Sequence, residues 1–313
     1  MNWSGVARLA EWVADVFPPE RPLVAIEVRQ RSLGLVRIVR ERRRTTLGSA
    51  AVLEIPEGVV RVSMTEPNLV DPVAFGRVLR SLIEHSGVAD GARVAVVLPD
   101  ATARIALLEA EGPDLEDAVR FRLRKAVPFD TREAQVAVTP LPRVGGAKAM
   151  ALAAVIAGPV LDGYEAAFRE GGLFVGQVEL ASLALLRFVG EGGGDRVFVN
   201  WDEQAVTFWV VRAGRPLVVR ALPARVVGSQ QELVREVGNT VLYYRERLGG
   251  DTLSGGVLRI ASQDAQGVAE RLAEPLGFMP EILSPWEALG TAPLKCDGRA
   301  IGAASAALLA EAG

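Results

Sequence analysis

The sequence holds one cysteine, Cys296, and one histidine, His85. A disulfide needs two thiols, so none can close within the chain, and a reducing compartment fits. A lone His and a lone Cys far apart in sequence cannot build a structural zinc site, and no metal is expected. No run of 18 apolar residues occurs, so no segment reads as a membrane-spanning helix. A signal peptide is not evident either: Arg8, Glu11 and Asp15 interrupt the first apolar residues, and no basic stretch precedes them. An excess of positive charge is also missing. Thirty-five Lys and Arg face 38 Asp and Glu, a net charge of -3, which offers no long-range attraction to nucleic acid or an anionic membrane. What is present is core-forming material. Half of the 313 residues are hydrophobic and 23% are charged, which suits two domains or one large bilobed one.

Residues 4–17 read as an amphipathic helix, with Ser4 as N-cap and Val6, Leu9, Trp12, Val13 and Val16 at helical spacing. Its polar face lacks the Lys/Arg enrichment of interfacial helices, so it is expected to pack on its own domain. Three strand-like runs follow at 23–28, 33–39 and 46–55, with a basic turn at 40–44. This is a β-meander rather than a βαβ opening, which argues against a dinucleotide-binding start. A helix is expected over 71–86, with Asp71 as N-cap, Pro72 at its first position and Gly87 ending it. Next come strands or extended runs at 93–98 and 103–109, a helix at 114–126, strands at 135–141 and 149–157, and a helix at 160–170. Residues 177–189 read as helical, and 190–194 as a glycine-rich connection without the ending of a phosphate loop. The meander then recurs at 196–201, 205–212 and 216–222. A long helix at 229–248, a strand at 257–261, a helix at 266–276 and a small-residue helix at 300–310 complete the pattern. Two similar halves around an inserted unit predict two lobes facing across a cleft.

Within this frame, residues 26–38 read IEVRQRSLGLVRI. The hydrophobic register resembles the opening IDIGSSSVKLVEL-type strand–turn–strand of PilM-type pilus assembly proteins, relatives of FtsA and actin. Residues 94–99, VAVVLP, resemble that family's VALALPG-type strand. Residues 124–130, RKAVPFD, resemble its Tyr-Ile-Pro-Phe signature, and 300–304, AIGAA, its closing AIGLA helix. The resemblance runs from about Leu23 onward. It implies an α/β, actin-like (ribonuclease H-like) two-lobed fold with an inserted FtsA/PilM-type α+β subdomain. The expected division is a first lobe at 1–90, the inserted subdomain at 91–172, a connecting helix at 173–195, a second lobe at 196–290 and a helix at 291–313 returning to the first lobe.

An actin-like ATPase grips phosphate with one hairpin from each lobe, using an acid for Mg²⁺ and glycine or Ser/Thr for close backbone approach. This chain departs from that pattern. The first hairpin carries Glu27 at the family's Asp position, Arg29 at its Gly position and Gly34 at its Lys position. The second, DIGAxxT in the family, reads NWDEQAVT over 200–207, with Asn200 for Asp and Asp202 for Gly. Two acids, Asp202 and Glu203, stand where phosphate oxygens would go, and like charges 4 Å apart repel by about 1 kcal/mol even in water. The glycine-rich adenosine turn is replaced by Ile260, Ala261, Ser262 and Gln263. No cofactor is therefore expected. Arg29 and Arg31 are expected to meet Asp202 and Glu203 across the cleft, in the vacated phosphate site.

Other constellations read as structural. Glu109, Glu111, Glu116 and Asp117 have no partner base, and Arg120, Arg122, Arg124 and Lys125 have no aromatic stacking platform for nucleic acid. His85 sits where a helix C-terminus favours a cation. Cys296 has a neighbouring Lys295 but no nearby His. The expected function is a non-catalytic scaffold of a type IV pilus or type II secretion inner-membrane platform, a pseudo-ATPase held at the membrane from the cytoplasm by a partner. In the PilM family a groove between the first lobe and the inserted subdomain receives the N-terminal tail of a PilN-like membrane protein. The resemblance implies the same here, with Phe121, Val127 and Phe129 as expected apolar contacts; the cytoplasmic domain of GspL is a related alternative. Two rivals remain. One is a nucleotide-binding actin-like ATPase or sugar-kinase-like phosphotransferase that uses ATP and Mg²⁺. The other is a homodimer in which the helix at 4–17 fills a neighbour's groove.

Overall fold

The computed structural model describes residues 22–41, 44–143, 148–190, 193–222, 226, 228–250, 252–261, 265–289 and 296–309. The helix expected at 4–17, with the dimer built on it, lies outside these residues. Strands β1 (Val24–Val28), β2 (Ser32–Glu41), β3 (Arg44–Glu54), β4 (Arg93–Leu98) and β8 (Phe174–Leu180) form one sheet in the order β3-β2-β1-β4-β8. Strands β9 (Asp195–Trp201), β10 (Val206–Arg212), β11 (Arg215–Ala221), β12 (Leu253–Ile260) and β13 (Glu281–Ile282) form a second in the order β11-β10-β9-β12-β13. The two repeat one plan. Three strands pair antiparallel, then two join in parallel on the far side of the first.

Layers of helix cover both sheets. Helices α1 (Pro72–Ser86) and α3 (Gly158–Glu170) pack on the outer face of the first sheet, where Phe75, Leu79, Val160 and Phe168 meet Ile26, Leu35 and Val96. The sheets face each other across a middle layer made of α4 (Ala181–Leu185) and α7 (Gly302–Leu308), the latter buried at every residue. Helices α5 (Gln230–Leu248) and α6 (Ala265–Leu276) cover the outer face of the second sheet. Strands enclosed on both faces read as continuous apolar runs rather than alternating ones. β1, VAIEV, is buried throughout, and its single charged residue is Glu27.

Local signals explain the helix ends. Asp71 accepts the Ala74 N–H at 2.9 Å, Pro72 opens α1, and Gly87 ends it at φ 61°. Ser229 caps α5 through the Glu232 N–H, and Gly249 closes it at φ 61°. Among the described residues no helix is long and apolar enough to cross a membrane.

The inserted unit is smaller than the sequence suggests. It comprises the sheet β5-β7-β6, built from β5 (Ala103–Glu109), β6 (Ala134–Pro140) and β7 (Met150–Ala157), with α2 (Leu115–Leu123) on one face. Strand β4, which the sequence reading placed inside the insert, pairs with β1 and β8 in the first lobe. Helix α3 likewise packs on the first lobe. Sequence order does not reveal which sheet a buried apolar strand joins, because every parallel neighbour offers the same burial. The expected helix at 177–189 also divides: Phe174–Leu180 is the strand β8, and only Ala181–Leu185 is α-helix. A short apolar run is ambiguous between strand and helix until its neighbour is known. The expected helix at 300–310 opens with a 3-10 turn at Gly298–Ile301 before α7 begins.

Candidate functional site: an ion-paired cleft and an apolar groove

Where the lobes meet, two hairpins and the end of β12 converge. Glu27, on β1, is 1% exposed and pairs with the equally buried Arg259 of β12. The other oxygen of Glu27 accepts the backbone N–H groups of Ala303 at 2.9 Å and Ala304 at 3.2 Å, which ties the start of α7 to β1. Arg259 Nη1 donates to Asn200 Oδ1 at 3.2 Å, and Asn200 Nδ2 donates to Asp100 Oδ2 at 2.9 Å. Asp100 also accepts the Thr207 hydroxyl at 2.7 Å and the Ser182 N–H at 2.9 Å. Asn at position 200 has a chemical reason. It must accept from a guanidinium on one side and donate to a carboxylate on the other, and an aspartate can do only the first.

Beside this chain lies a second set of charges. Arg29 Nη2 donates to Glu203 Oε1 at 2.8 Å, and Arg29 Nε lies 3.4 Å from Asp202 Oδ1. Glu203 Oε2 accepts the backbone N–H of Arg31 at 3.1 Å. The Arg31 side chain turns outward instead, to an exposed pair with Glu57 at 3.3 Å. So Arg29, Asp202 and Glu203 meet across the cleft, whereas Arg31 takes part through its backbone alone.

Burial sets the protonation balance. It pushes the Asp100 carboxyl upward against the pull of its hydrogen bonds to Ser182, Thr207 and Asn200. It also pushes Glu203 upward, with Arg29 opposing. Burial works against the charge on Arg259, but Glu27 and Asp202 outweigh it and hold the guanidinium firmly protonated. Gly34, on β2, faces the C-terminal segment so closely that a Cβ would lie 2.2 Å from the Ala300 carbonyl oxygen and 2.9 Å from Ile301 Cγ2. No longer side chain, lysine included, fits there. Of the adenosine-turn positions, the Ala261 N–H donates to Trp201 O at 3.0 Å, and Ser262 and Gln263 lie outside the described residues. Among the described residues no group of three metal-ligating side chains occurs.

A different kind of site lies between the first lobe and the insert. The face of the small sheet turned away from α2 presents Gln135, Ala137, Thr139, Leu152, Ala154 and Ile156. Opposite stand Leu161 of α3, residues 177–180 of β8, and Leu183, Leu186 and Arg187. Together they enclose a largely apolar cavity of about 500 Å³. β6 and β8, which border it, are each the last strand of their sheet. Glu179 stands in its wall. Its Oε1 takes the Gln177 amide, while its buried Oε2 accepts no hydrogen bond from the described residues.

The expected apolar contacts fall elsewhere. Phe121 is on the outer side of α2, 64% exposed, with the Arg124 guanidinium 4.3 Å above its ring. Val127 is buried just past that helix, and Phe129 packs between the first-lobe and insert cores. None of the three lines the cavity. Arg120 is structural, donating to the carbonyls of Thr131 and Ala134 at 2.6 Å each. His85 Nδ1 donates to Ser81 O at 2.6 Å, and the half-buried Cys296 thiol is pushed up by burial and by Asp297. Asp100, Arg259 and Glu179 escaped the sequence reading. The signal available for them was a charged residue in or beside an otherwise apolar strand.

No protein-family model matches the chain, and no curated protein matches it in sequence. Solved structures do match its fold. A PilM-PilN type IV pilus biogenesis complex superposes with a TM-score of 0.75 at 19% identity, over 93% of this chain and 97% of that one. A Bacteroides thetaiotaomicron protein of actin-like ATPase fold and unknown function gives 0.53 at 10%, covering 85% and 94%. The cytoplasmic domain of EpsL, an inner membrane component of the Vibrio cholerae type II secretion system, gives 0.49 at 11%, covering 80% and 93%. The fold is the actin-like, two-lobed α/β fold, similar to that of PilM.

Proposed function

We propose that this chain is a non-catalytic scaffold of a type IV pilus or type II secretion assembly platform, and that its groove takes the cytoplasmic tail of a PilN-like membrane protein. The observation that carries the reading is the apolar cavity of about 500 Å³ bordered by two sheet-edge strands, β6 and β8. An edge strand offers unpaired N–H and C=O groups to an extended chain, and alternate side chains of that chain can then enter apolar pockets. The solved complex that this fold superposes on pairs PilM with PilN. The scaffold side of the reading draws on the cleft. Its two guanidiniums, Arg29 and Arg259, are engaged by Asp202, Glu203 and Glu27, and a triphosphate would have to displace those carboxylates. In this reading the protein is held at the inner membrane from the cytoplasm through its partner.

Calorimetric titration with a synthetic peptide of the N-terminal tail of the PilN in that solved complex tests the reading. Saturable binding is expected, lost when Ala154→Trp fills the cavity. Absence of binding to the unaltered protein, or equal binding to the filled variant, refutes the partner assignment.

A further inference from the structure

Glu179 is an oddity in the groove. It projects from an edge strand into an apolar cavity, one oxygen engaged by Gln177 and the other buried with no donor among the described residues. A buried carboxylate oxygen left unpaired is destabilising. Arg187 lines the same cavity and attracts the carboxylate through space, yet its Nε is committed to the Ala184 carbonyl at 3.0 Å. Among the described residues no donor, the Arg187 guanidinium included, makes a hydrogen bond to that oxygen, which lies in the cavity wall on the strand edge along which an extended segment would lie.

We propose that Glu179 sets the specificity of this groove: its free oxygen receives the cationic side chain of a lysine or arginine carried by an extended, otherwise apolar peptide. The apolar walls (Ala137, Leu152, Ala154, Ile156, Leu183) take the flanking side chains, and the carboxylate fixes the register in which the segment lies. Charge-assisted hydrogen bonds are the stronger kind, and one shielded from water discriminates more than one at a rim. The inference rests on the peptide-binding reading of the groove, but not on the identity of the partner.

The test uses the full chain as bait against a phage-displayed library of random dodecapeptides, with Glu179→Gln as a second bait. The expected result is a family of apolar peptides sharing one Lys or Arg position, which the variant no longer selects. For a peptide so chosen, Glu179→Gln lowers affinity about tenfold or more, and norleucine at the basic position does the same to the unaltered protein. Combining the two changes adds little further loss. Selected peptides without a basic position, an unchanged preference in the variant, additive losses, or no selected peptide at all would overturn the inference. If basic apolar peptides bind at Glu179 while the PilN tail does not, the partner assignment fails and this inference stands. If the tail binds both proteins equally, the reverse holds. Because Glu179 Oε2 has no hydrogen-bond partner among the described residues, the variant is expected to melt no lower than the parent, which separates lost recognition from lost folding.

Discussion

Arg259→Met leaves Glu27 as a buried, uncompensated charge. The two side chains are each 2% exposed, so water cannot replace the missing partner without opening the interface between the lobes. Removing one member of a buried pair costs about 3–5 kcal/mol, because the survivor keeps its desolvation penalty and loses its attraction. The Asn200 carbonyl also loses its guanidinium donor. Urea unfolding followed by tryptophan fluorescence reads this directly, since Trp201 and Trp209 are both buried in the second lobe. At a slope of about 3 kcal/mol/M the midpoint should fall by about 1–2 M. The double variant Glu27→Gln/Arg259→Met removes both charges, and its amide oxygen can still accept the Ala303 and Ala304 N–H groups. It should recover most of the loss, leaving a deficit of about 1–2 kcal/mol, and the cycle should report strong coupling. A loss below about 1 kcal/mol for the single variant would mean that Glu27 is hydrated in solution and the lobes are not closed by this pair. A double variant as unstable as the single one would trace the damage to lost packing rather than to stranded charge.

Further outcomes follow from other positions. Gly34→Ala drives a methyl group into the Ala300 backbone carbonyl, which is no flexible side-chain end, and should destabilise by about 1–3 kcal/mol in the same urea assay. Burial holds the Glu179 carboxyl above its ordinary value, so the native state keeps that proton longer than the unfolded chain does. Stability from this group is therefore fully present below the unfolded value of about 4.3 and is lost as pH rises through the raised native value. Glu179→Gln removes that term, so the variant's stability relative to the parent should climb across this window; a constant difference between the two curves would refute the buried setting. ATP or ADP at millimolar concentration, with or without Mg²⁺, should leave the melting temperature unchanged. A ligand at 100 times its Kd would add about 2.7 kcal/mol, and a Mg²⁺-dependent rise of that order would restore the nucleotide-binding alternative.

Much of this architecture is readable before any coordinates. Both meanders announce themselves as Val/Ile/Leu-rich runs broken by short polar turns, and α1 is punctuated at both ends by Asp71-Pro72 and Gly87. The charges at 29, 31, 202 and 203 are visible as departures from a phosphate-binding pattern. What escapes a linear reading is anything decided by a distant neighbour. Glu27 finds its cation 232 positions away, and nothing local to either residue names the other. β4 and β8 are assigned to the first lobe by parallel pairing that sequence order does not encode. The groove is the extreme case, because its walls come from β6, β7, α3, β8, α4 and the turn after it, and the insert's aromatic residues are drawn to the opposite side of the sheet or into the cores.

The position of α7 also has a consequence for how the protein is made. Every residue from Gly302 to Leu308 is buried in the layer between the sheets, where it covers Ala25, Val36 and Val97 of the first lobe. During translation those first-lobe strands leave the ribosome some 250 residues ahead of the segment that covers them, a gap of roughly 10–50 s at ordinary elongation rates. Throughout that interval the part of the inner face that α7 covers lacks its permanent cover, so the nascent chain depends there on chaperones or on provisional contacts. A premature stop only a dozen residues before Leu308 would leave the surfaces that α7 covers between the lobes facing water.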